Sequence, residues 1–170
     1  MHWRKLGERV VYERFRRILS RTFELPAGGV ADFEILDGSD TVAVLALTED
    51  RQVILVREFR AGPEEVVLEL PGGLVEPEQT PEEAARAELV EETGYEGDLT
   101  EAGTMLHDAY STWKKHAFVA TRCRKVAEPA EGELTDPVLM PLDAFREHLR
   151  AGRLTDVDVG YRALDQLGLL

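Results

Sequence analysis

The sequence predicts an α/β domain with a mixed sheet and layered helices, and three observations indicate this class. The run 41–48 is almost continuously apolar, as a strand covered on both faces would be. A second apolar run, 52–60, follows after a short polar turn, which is typical of adjacent strands. A third run, 66–70, leads through a Pro-Gly-Gly turn into a capped helix that begins at Pro81. Strands that alternate with helices in this way favour a mixed α/β layered domain.

The N-terminal part of the chain carries three strand-like runs within residues 9–36. They read VVYERFRR, ILSRTFEL and VADFEIL, and a turn at Pro26-Ala-Gly-Gly precedes the last of them. We interpret residues 1–38 as a small N-terminal antiparallel sheet and residues 39–170 as the main domain. A chain of 170 residues fits one domain with such an appendage.

Local signals define the helix that follows the glycine-rich turn. Thr80 and Glu83 form a T-x-x-E capping box, and Pro81 stands at the first helical position. Gly94 suits a left-handed C-cap, so the helix is predicted to end near Thr93. Beyond it we predict strands near 99–105, 116–123 and 136–140, and helices near 142–151 and 156–168.

The charge balance restricts the classes of partner. The net charge is −13, from 33 acidic and 20 basic residues, which argues against a nucleic-acid-binding surface. A phosphorylated substrate would have to be attracted locally, by a metal ion and a few arginines. No apolar stretch approaches 18 residues and no signal segment is evident, so we expect no membrane association and a cytoplasmic location. The lone Cys123 excludes an intramolecular disulfide and is interpreted as an inert, packed thiol.

The predicted helix carries a cluster of acidic side chains. Glu88, Glu91 and Glu92 are spaced i, i+3 and i+4, so their side chains lie on one helical face. Like charges at this spacing repel by a few tenths of a kcal/mol, roughly, per pair, which a purely structural helix has no reason to bear. Clustered carboxylate oxygens suit Mg²⁺ or Mn²⁺, which also hold substrate phosphates. A solvated acidic helix is the alternative interpretation.

The segment from Gly73 to Tyr95 resembles the Nudix box, G-x5-E-x7-R-E-U-x-E-E-x-G-U, in which U is aliphatic or aromatic. Seven of the nine defined positions match, and Gln79 and Ala87 stand where the first Glu and the Arg belong. Glu78 and Arg86 lie one residue early, which suggests a one-residue slip. A slip would rotate Arg86 by about 100° on an unbroken helix, so we interpret the two positions as true substitutions.

The resemblance implies a Nudix-type α/β/α sandwich and a metal-dependent hydrolase. Glu88, Glu91 and Glu92 would be the metal ligands, with the carbonyl of Gly72 as a further backbone ligand. In the family the Arg of the box orients the glutamate after it, which the alanine at position 87 cannot do. We therefore hypothesise an enzyme that is slower or more dependent on Mn²⁺.

Motifs outside the box are similar to the ADP-ribose pyrophosphatase branch of the family. They read VVYERF, TVAVLALTEDRQVILVREFR, LELPGGLVEP and MPLDAFREHLRAGRLTD. The resemblance implies that Arg57 and Arg60 contact the substrate diphosphate, although strand alternation puts them on opposite faces. The general base would be a late-loop glutamate, Glu133 first and Glu131 in reserve. Asp136 also aligns with an acidic family position, and each of these three acids has a plain loop role as its alternative.

One stretch departs from this branch. The S-P-G-x-x-x-E motif expected after the box is replaced by HDAYSTWKKHAF. Lys114 and Lys115 would favour an extra phosphate or form a solvated strand edge, and His107 or Tyr110 would line the pocket. The four histidines show no pairing typical of zinc sites.

The resemblance leaves several functions open. The first is hydrolysis of ADP-ribose to AMP and ribose 5-phosphate. The alternatives are another small-molecule nucleotide substrate (a GDP-mannose-type sugar nucleotide, a dinucleoside polyphosphate or an oxidised nucleotide) and a weakly catalytic nucleotide-sensing module. The N-terminal extension resembles the part through which this branch forms homodimers with shared active sites. Trp3, Tyr12 and Phe15 there are candidates for stacking on adenine or for simple packing.

Overall fold

The computed structural model describes all residues, 1–170, as two compact units. The first unit contains residues 1–39 and 106–114, and the second contains residues 40–105 and 115–170. No sequence pattern indicated that the segment 106–114 belongs with the N-terminal residues. No helix of the chain is long and apolar enough to cross a membrane.

The first unit is built on a three-stranded antiparallel sheet, as predicted. Its strands are β1 (Arg4–Glu13), β2 (Arg17–Glu24) and β3 (Val30–Asp37), in that order across the sheet. The run VVYERFRR, predicted as one strand, is instead interrupted after Glu13. The pairing of Glu13 with Arg17 closes a tight hairpin there, so the arginine-rich end of the run forms the turn.

The second unit contains a seven-stranded sheet in the order β10-β5-β4-β9-β8, with β6 paired to β5 and β7 paired to β4. The β4–β9 pair is parallel, whereas β4–β5, β5–β6, β5–β10 and β4–β7 are antiparallel, so the predicted mixed sheet is confirmed. The bounds are β4 Thr41–Thr48, β5 Gln52–Arg60, β6 Glu65–Glu69, β7 Gly72–Leu74, β8 Tyr95–Leu106, β9 Lys114–Lys125 and β10 Asp136–Pro141.

Three helices cover this sheet: α1 (Pro81–Thr93), α2 (Leu142–Ala151) and α3 (Val157–Gln166). Successive residues of the central strand β4 point to opposite faces, and each set packs in a separate core. One core joins β4 and β5 to α2 and α3 and includes Leu45, Leu55, Phe145, Leu149 and Leu164. The other joins them to α1 and includes Val44, Ile54, Ala85 and Leu89. The α/β/α sandwich is therefore confirmed, with α1 alone on its face.

The capping interactions predicted at the two ends of α1 are present in the structure. The Thr80 hydroxyl accepts a hydrogen bond from the Glu83 N–H at 3.2 Å, and the Glu83 carboxylate accepts one from the Thr80 N–H at 2.8 Å. Gly94 ends the helix with a φ of 74°, a left-handed conformation that glycine adopts without steric cost. The start and end of α1, and hence the position of its glutamates, are fixed locally.

Lys115 corrects the prediction of a solvated strand edge. Its side chain is only 9% exposed, and its ammonium group pairs with Asp156 at 3.0 Å and with Asp158 at 3.1 Å. Burial opposes its charge, but the two carboxylates outweigh burial and raise its pKa. Lys115 thereby ties β9 to the start of α3 instead of facing solvent.

Candidate active site

The Gly72-Gly73 segment forms a short strand where the sequence predicted only a turn. Gly72 pairs with Ala43 and Gly73 with Val42 of the central strand. A Cβ atom on Gly72 would lie 2.2 Å from the Val42 carbonyl oxygen, and one on Gly73 would lie 2.0 Å from a carboxylate oxygen of Glu88. Both glycines therefore permit a close approach, one to the strand β4 and the other to the helix α1.

Glu92 is the most deeply buried of the predicted metal ligands, with 7% of its surface exposed. Its carboxylate accepts a hydrogen bond from the Gly72 N–H at 2.9 Å, which joins α1 to the glycine segment. Burial raises the pKa of Glu92 to about 8; the Gly72 hydrogen bond opposes this, and Glu88, Glu58 and Glu133 add to it.

Glu88 lies one helical turn before Glu92 and is partly buried. Burial raises its pKa to about 7, and the carboxylates of Glu91, Glu133 and Glu76 add to the effect in that order. Glu91 itself is exposed. The three glutamates thus occupy one helical face, but they lie at different depths.

The loop before β10 brings Glu133 to these carboxylates. The Ala130 N–H donates to the Glu91 carbonyl at 2.7 Å, and the Thr135 hydroxyl donates to the Glu92 carbonyl at 3.2 Å. The loop is therefore tied to the end of α1 on both sides of Glu133, which lies close enough to raise the pKa of both Glu88 and Glu92. Glu131 is exposed and is not among the groups that act on either one.

The structure adds a carboxylate that the sequence analysis missed. Glu58 lies on β5, and burial raises its pKa, with Arg60 opposing and Glu69 and Glu133 adding. It is also one of the groups that raise the pKa of Glu92. In the sequence Glu58 lies between Arg57 and Arg60, the two candidate phosphate ligands. Residues i and i+2 of a strand share a face, so a site that includes Arg60 could also have been predicted to include Glu58.

The two predicted phosphate-binding arginines have different surroundings. Arg60 pairs through Nε with Glu69, whose side chain is 0% exposed, and at 2.9 Å with Glu58. Glu69 also accepts a hydrogen bond from the Thr155 N–H at 2.9 Å. This bond holds the Glu69 carboxylate in place against the Arg60 guanidinium. Arg57 instead pairs with Asp136 on the neighbouring strand β10.

A cavity of about 310 Å³ lies beside Arg60 and Glu69. Its lining includes Arg60 and Glu69, together with apolar side chains of Pro63, Val67 and Leu154. Such a volume suits one ring of a small molecule, with Arg60 at its wall.

The two departures from the box have structural consequences. The Gln79 side-chain oxygen accepts a hydrogen bond from the Glu76 N–H at 3.3 Å and so supports the turn before α1. Arg86 points away from the acidic cluster and pairs with Glu82 at 3.0 Å, so it does not replace the arginine missing at Ala87. The interpretation as a true substitution agrees with this geometry.

The acidic cluster fits a divalent cation by its chemistry. Glu88 and Glu92 have pKa values raised by burial and by neighbouring carboxylates, and a cation would offset that repulsion. No group of three or more His, Cys, Asp or Glu side chains is gathered closely enough to hold a metal ion as the side chains lie. Carboxylates with hard oxygen atoms on one helix nevertheless form a donor set suited to Mg²⁺ or Mn²⁺.

Comparison with known proteins agrees with this geometry. Residues 39–157 match the family model of the NUDIX domain. The chain is 30% identical over 138 residues to a methanol dehydrogenase activator from Bacillus methanolicus, covering 78% of this chain and 75% of that protein. It is 43% identical over 72 residues to an ADP-ribose pyrophosphatase from Bacillus subtilis (strain 168), covering 42% of this chain and 39% of that protein.

A solved structure of an ADP compounds hydrolase has the same fold. It superposes with a TM-score of 0.80 at 24% sequence identity, covering 100% of this chain and 98% of the other.

Proposed function

The chain belongs to the Nudix hydrolase family and is a pyrophosphohydrolase, and from this premise we propose that it cleaves ADP-ribose to AMP and ribose 5-phosphate. The observation that carries the proposal is the cluster of Glu88, Glu92 and Glu133 against the Gly72-Gly73 segment. Similarity to the Bacillus subtilis ADP-ribose pyrophosphatase supports the choice of substrate.

Nudix hydrolases generally use divalent metal ions, and here we propose Mg²⁺ or Mn²⁺. Glu88, Glu91 and Glu92 would hold the ion, with the Gly72 carbonyl as a further ligand. When bound, the ion would supply positive charge at the diphosphate and would lower the pKa of a water molecule that it binds. The rigid helix supports this assignment because its two caps fix the three glutamates without loop motion.

Glu133 is proposed as the general base that takes the proton of the attacking water. Its loop is tied to the end of α1, and its charge acts on Glu88, Glu92 and Glu58. Carboxylates act as general bases when they are positioned near the proton that they take, and the anchored loop supports this role for Glu133. Glu131 remains the second candidate, since it lies two residues away on the same loop.

Arg60 is proposed to neutralise the diphosphate as charge develops in the transition state. Glu69 and Glu58 hold its guanidinium in one orientation, and a fixed cation stabilises developing charge better than one that must reorganise. Arg57 is exposed and is paired with Asp136 alone, so its orientation is less restricted. We assign Arg60 the larger contribution because two carboxylates fix its orientation.

Two other functional assignments, one with a different substrate and one without efficient turnover, rest on the same site. The relatives include one that is not named as an ADP-ribose pyrophosphatase, the Bacillus methanolicus protein. The second candidate is therefore hydrolysis of another nucleotide: another sugar nucleotide, a dinucleoside polyphosphate or an oxidised nucleotide. The departures at Gln79 and Ala87 support a third, a weakly catalytic nucleotide-sensing module. Retention of three mutually repelling glutamates favours turnover over sensing.

We also propose that the N-terminal sheet forms a homodimer. Strand β1 is exposed along its whole length and carries the apolar residues Leu6, Val10, Val11 and Tyr12. Trp3 packs edge-on against Phe23 and Phe33, which accounts for it without a ligand, whereas Phe15 is 94% exposed. An exposed apolar strand of this length suits a protein partner. Sedimentation equilibrium of the wild type and of Val10→Lys would measure dimerisation. A monomeric wild type would contradict the proposal.

A hydrolysis screen tests the function. ADP-ribose, sugar nucleotides, dinucleoside polyphosphates and oxidised nucleotides would be incubated with Mg²⁺ and with Mn²⁺, and products separated by chromatography. We expect AMP and ribose 5-phosphate from ADP-ribose at the highest kcat/KM.

Matched variants connect the activity to the site. Glu92→Gln should lower kcat/KM by at least about 100-fold, because even loss of a group supporting a ligand costs 10–100-fold. Glu82→Gln, an exposed glutamate on the same helix, should leave it unchanged. Absence of turnover on every substrate with both ions would support the sensing module instead.

A further inference from the structure

The loop that carries Glu133 joins β9 to β10 and spans residues 126–135. Its side chains contribute little packing, because Glu133 and most of its neighbours are exposed, and Leu134, an apolar residue of the loop, is 91% exposed. A segment that buries few apolar side chains opens locally at a low cost in free energy. The position of Glu133 therefore depends on the hydrogen bonds of the loop and not on a hydrophobic core.

Two of these hydrogen bonds end on the last turn of α1. The last four carbonyl groups of a helix have no partner within the helix, so they are available to other segments. The Glu91 carbonyl accepts from the Ala130 N–H at 2.7 Å, and the Glu92 carbonyl accepts from the Thr135 hydroxyl at 3.2 Å. Two of the residues whose carboxylates are proposed to hold the cation thus also hold the loop, through their backbone.

A tight turn connects the first of these bonds to Glu133. The Glu133 N–H donates to the Ala130 carbonyl at 3.2 Å, which closes a four-residue turn. Gly132 is the third residue of this turn and has a φ of 101°, which glycine adopts without steric cost. Ala130 therefore bonds α1 with its N–H and Glu133 with its carbonyl, so the chain before Glu133 is held by backbone groups.

The chain after Glu133 is held by a side chain instead. Thr135 lies two residues after Glu133 and directly before β10, and it is partly buried. Its hydroxyl bonds the backbone of Glu92, whose carboxylate is the most deeply buried of the proposed metal ligands. Because a hydroxyl makes this bond, a substitution can remove it and leave the rest of the loop unchanged.

We infer that Thr135 is a positioning residue, whose hydroxyl keeps the loop docked on α1 and so keeps Glu133 at the acidic cluster. The inference rests on the proposed function, because it takes Glu133 as the general base. Thr135 acts through Glu133 and contacts neither the diphosphate nor the cation. A general base must lie within hydrogen-bond reach of the proton that it takes, so an undocked loop is inactive.

Removal of the hydroxyl tests this role. Thr135→Val keeps the shape of the side chain, and loss of one hydrogen bond should shift the loop toward the open state by about three- to tenfold. We expect kcat for ADP-ribose to fall by about two- to tenfold, with KM and the Mg²⁺ concentration for half-maximal activity unchanged. Thr135→Ser keeps the donor and should retain most of the wild-type kcat. Thr100→Val, at an exposed threonine of β8, is the matched control and should leave kcat unchanged.

A double substitution tests whether Thr135 acts through Glu133. In a Glu133→Gln background, Thr135→Val should lower the residual kcat no further, because the group that it positions is already lost. A further loss of the same size as in the wild-type background would overturn the inference. A rise in KM at unchanged kcat would also overturn it, because that result assigns the hydroxyl to substrate binding.

Amide hydrogen exchange measures the loop without turnover. In the metal-free protein, the Ala130 and Glu133 amides should exchange about three- to tenfold faster in Thr135→Val than in the wild type, because opening of the loop frees both N–H groups. Amides in the middle of α1 should exchange at the wild-type rate. Equal exchange of the loop in the two proteins, or loop exchange in Thr135→Ser as fast as in Thr135→Val, would refute the positioning role.

The two proposals can fail separately. If Thr135→Val matches the wild type in both kcat and exchange while ADP-ribose is hydrolysed, the positioning role fails and the proposed function stands. If the wild type hydrolyses no nucleotide while Thr135→Val still opens the loop, the proposed function fails and the hydroxyl still holds the loop on α1.

Discussion

Substitution of Gly73 by alanine should displace one carboxylate while leaving the fold intact. A Cβ atom at this position would lie 2.0 Å from one oxygen of Glu88 and 3.0 Å from the other, so the carboxylate must move by more than an ångström, roughly, to restore normal contact. The clash involves only the end of a flexible side chain. The backbone of Gly73 is not in the left-handed region, so alanine brings no backbone strain.

The expected magnitudes follow from this geometry. Misplacement of a catalytic group by about 1 Å can lower activity by about 100-fold. The free energy of unfolding should change little. Alanine lowers the conformational entropy of the unfolded chain relative to glycine, which stabilises the fold by about 0.4–1 kcal/mol and offsets part of the cost of moving the Glu88 side chain. AMP release from ADP-ribose with saturating Mg²⁺ would measure the first effect, and thermal unfolding followed by circular dichroism the second.

Gly72→Ala is the comparison variant, for which the main expected effect is a loss of stability. Its Cβ atom would meet the Val42 carbonyl oxygen at 2.2 Å and the Ala43 Cα at 2.9 Å, both backbone atoms of the central strand. Overpacking of this kind costs about 1–3 kcal/mol. For a chain of this size the Tm should fall by roughly 2–12 °C. Wild-type activity in Gly73→Ala, or a larger loss of stability there than in Gly72→Ala, would refute the role given to the Glu88 carboxylate.

Three further predictions address single side chains. Ala87→Arg should raise activity with Mg²⁺ by about 10-fold or more, by restoring a group that orients Glu88, and unchanged metal titration curves would contradict this. Burial raises the pKa of Cys123 from 9.0 to about 11, so the unfolded thiol ionises first and the free energy of unfolding should fall as pH rises through this range. Urea denaturation over this pH range should show a smaller decline in the free energy of unfolding for Cys123→Ala than for the wild type. Lys115→Met leaves Asp156 and Asp158 without their cation, and since both are partly exposed the Tm should fall by roughly 2–12 °C, whereas Lys5→Met at an exposed pair should not alter it.

Much of the second unit could be predicted because its signals are local. The capping box at Thr80, the proline after it and Gly94 act within a few residues, and they fix the register of α1 in the isolated sequence as in the fold. The apolar pattern of β4 likewise predicted a strand covered on both faces, and the two separate cores confirm it.

Predictions that depended on neighbours distant in the sequence fared less well. Lys115 looked like part of a solvated edge, yet it meets acidic residues about forty positions away at the start of α3. Glu58 did not stand out in β5, although it lies within reach of Glu92 and Glu133. No sequence pattern predicted the short strand at Gly72, because it is defined by its pairing with Ala43, a residue distant in the sequence.

The sequence by itself determined where α1 begins and ends and that Glu88, Glu91 and Glu92 share one of its faces, because helical geometry links positions three and four residues apart. Only the tertiary structure decided how deeply each glutamate lies and that Glu133, rather than Glu131, acts on them. It also decided that Arg60 is held by Glu69. Burial and the approach of charges depend on which strands and loops become neighbours, and that order is set by packing of the whole unit.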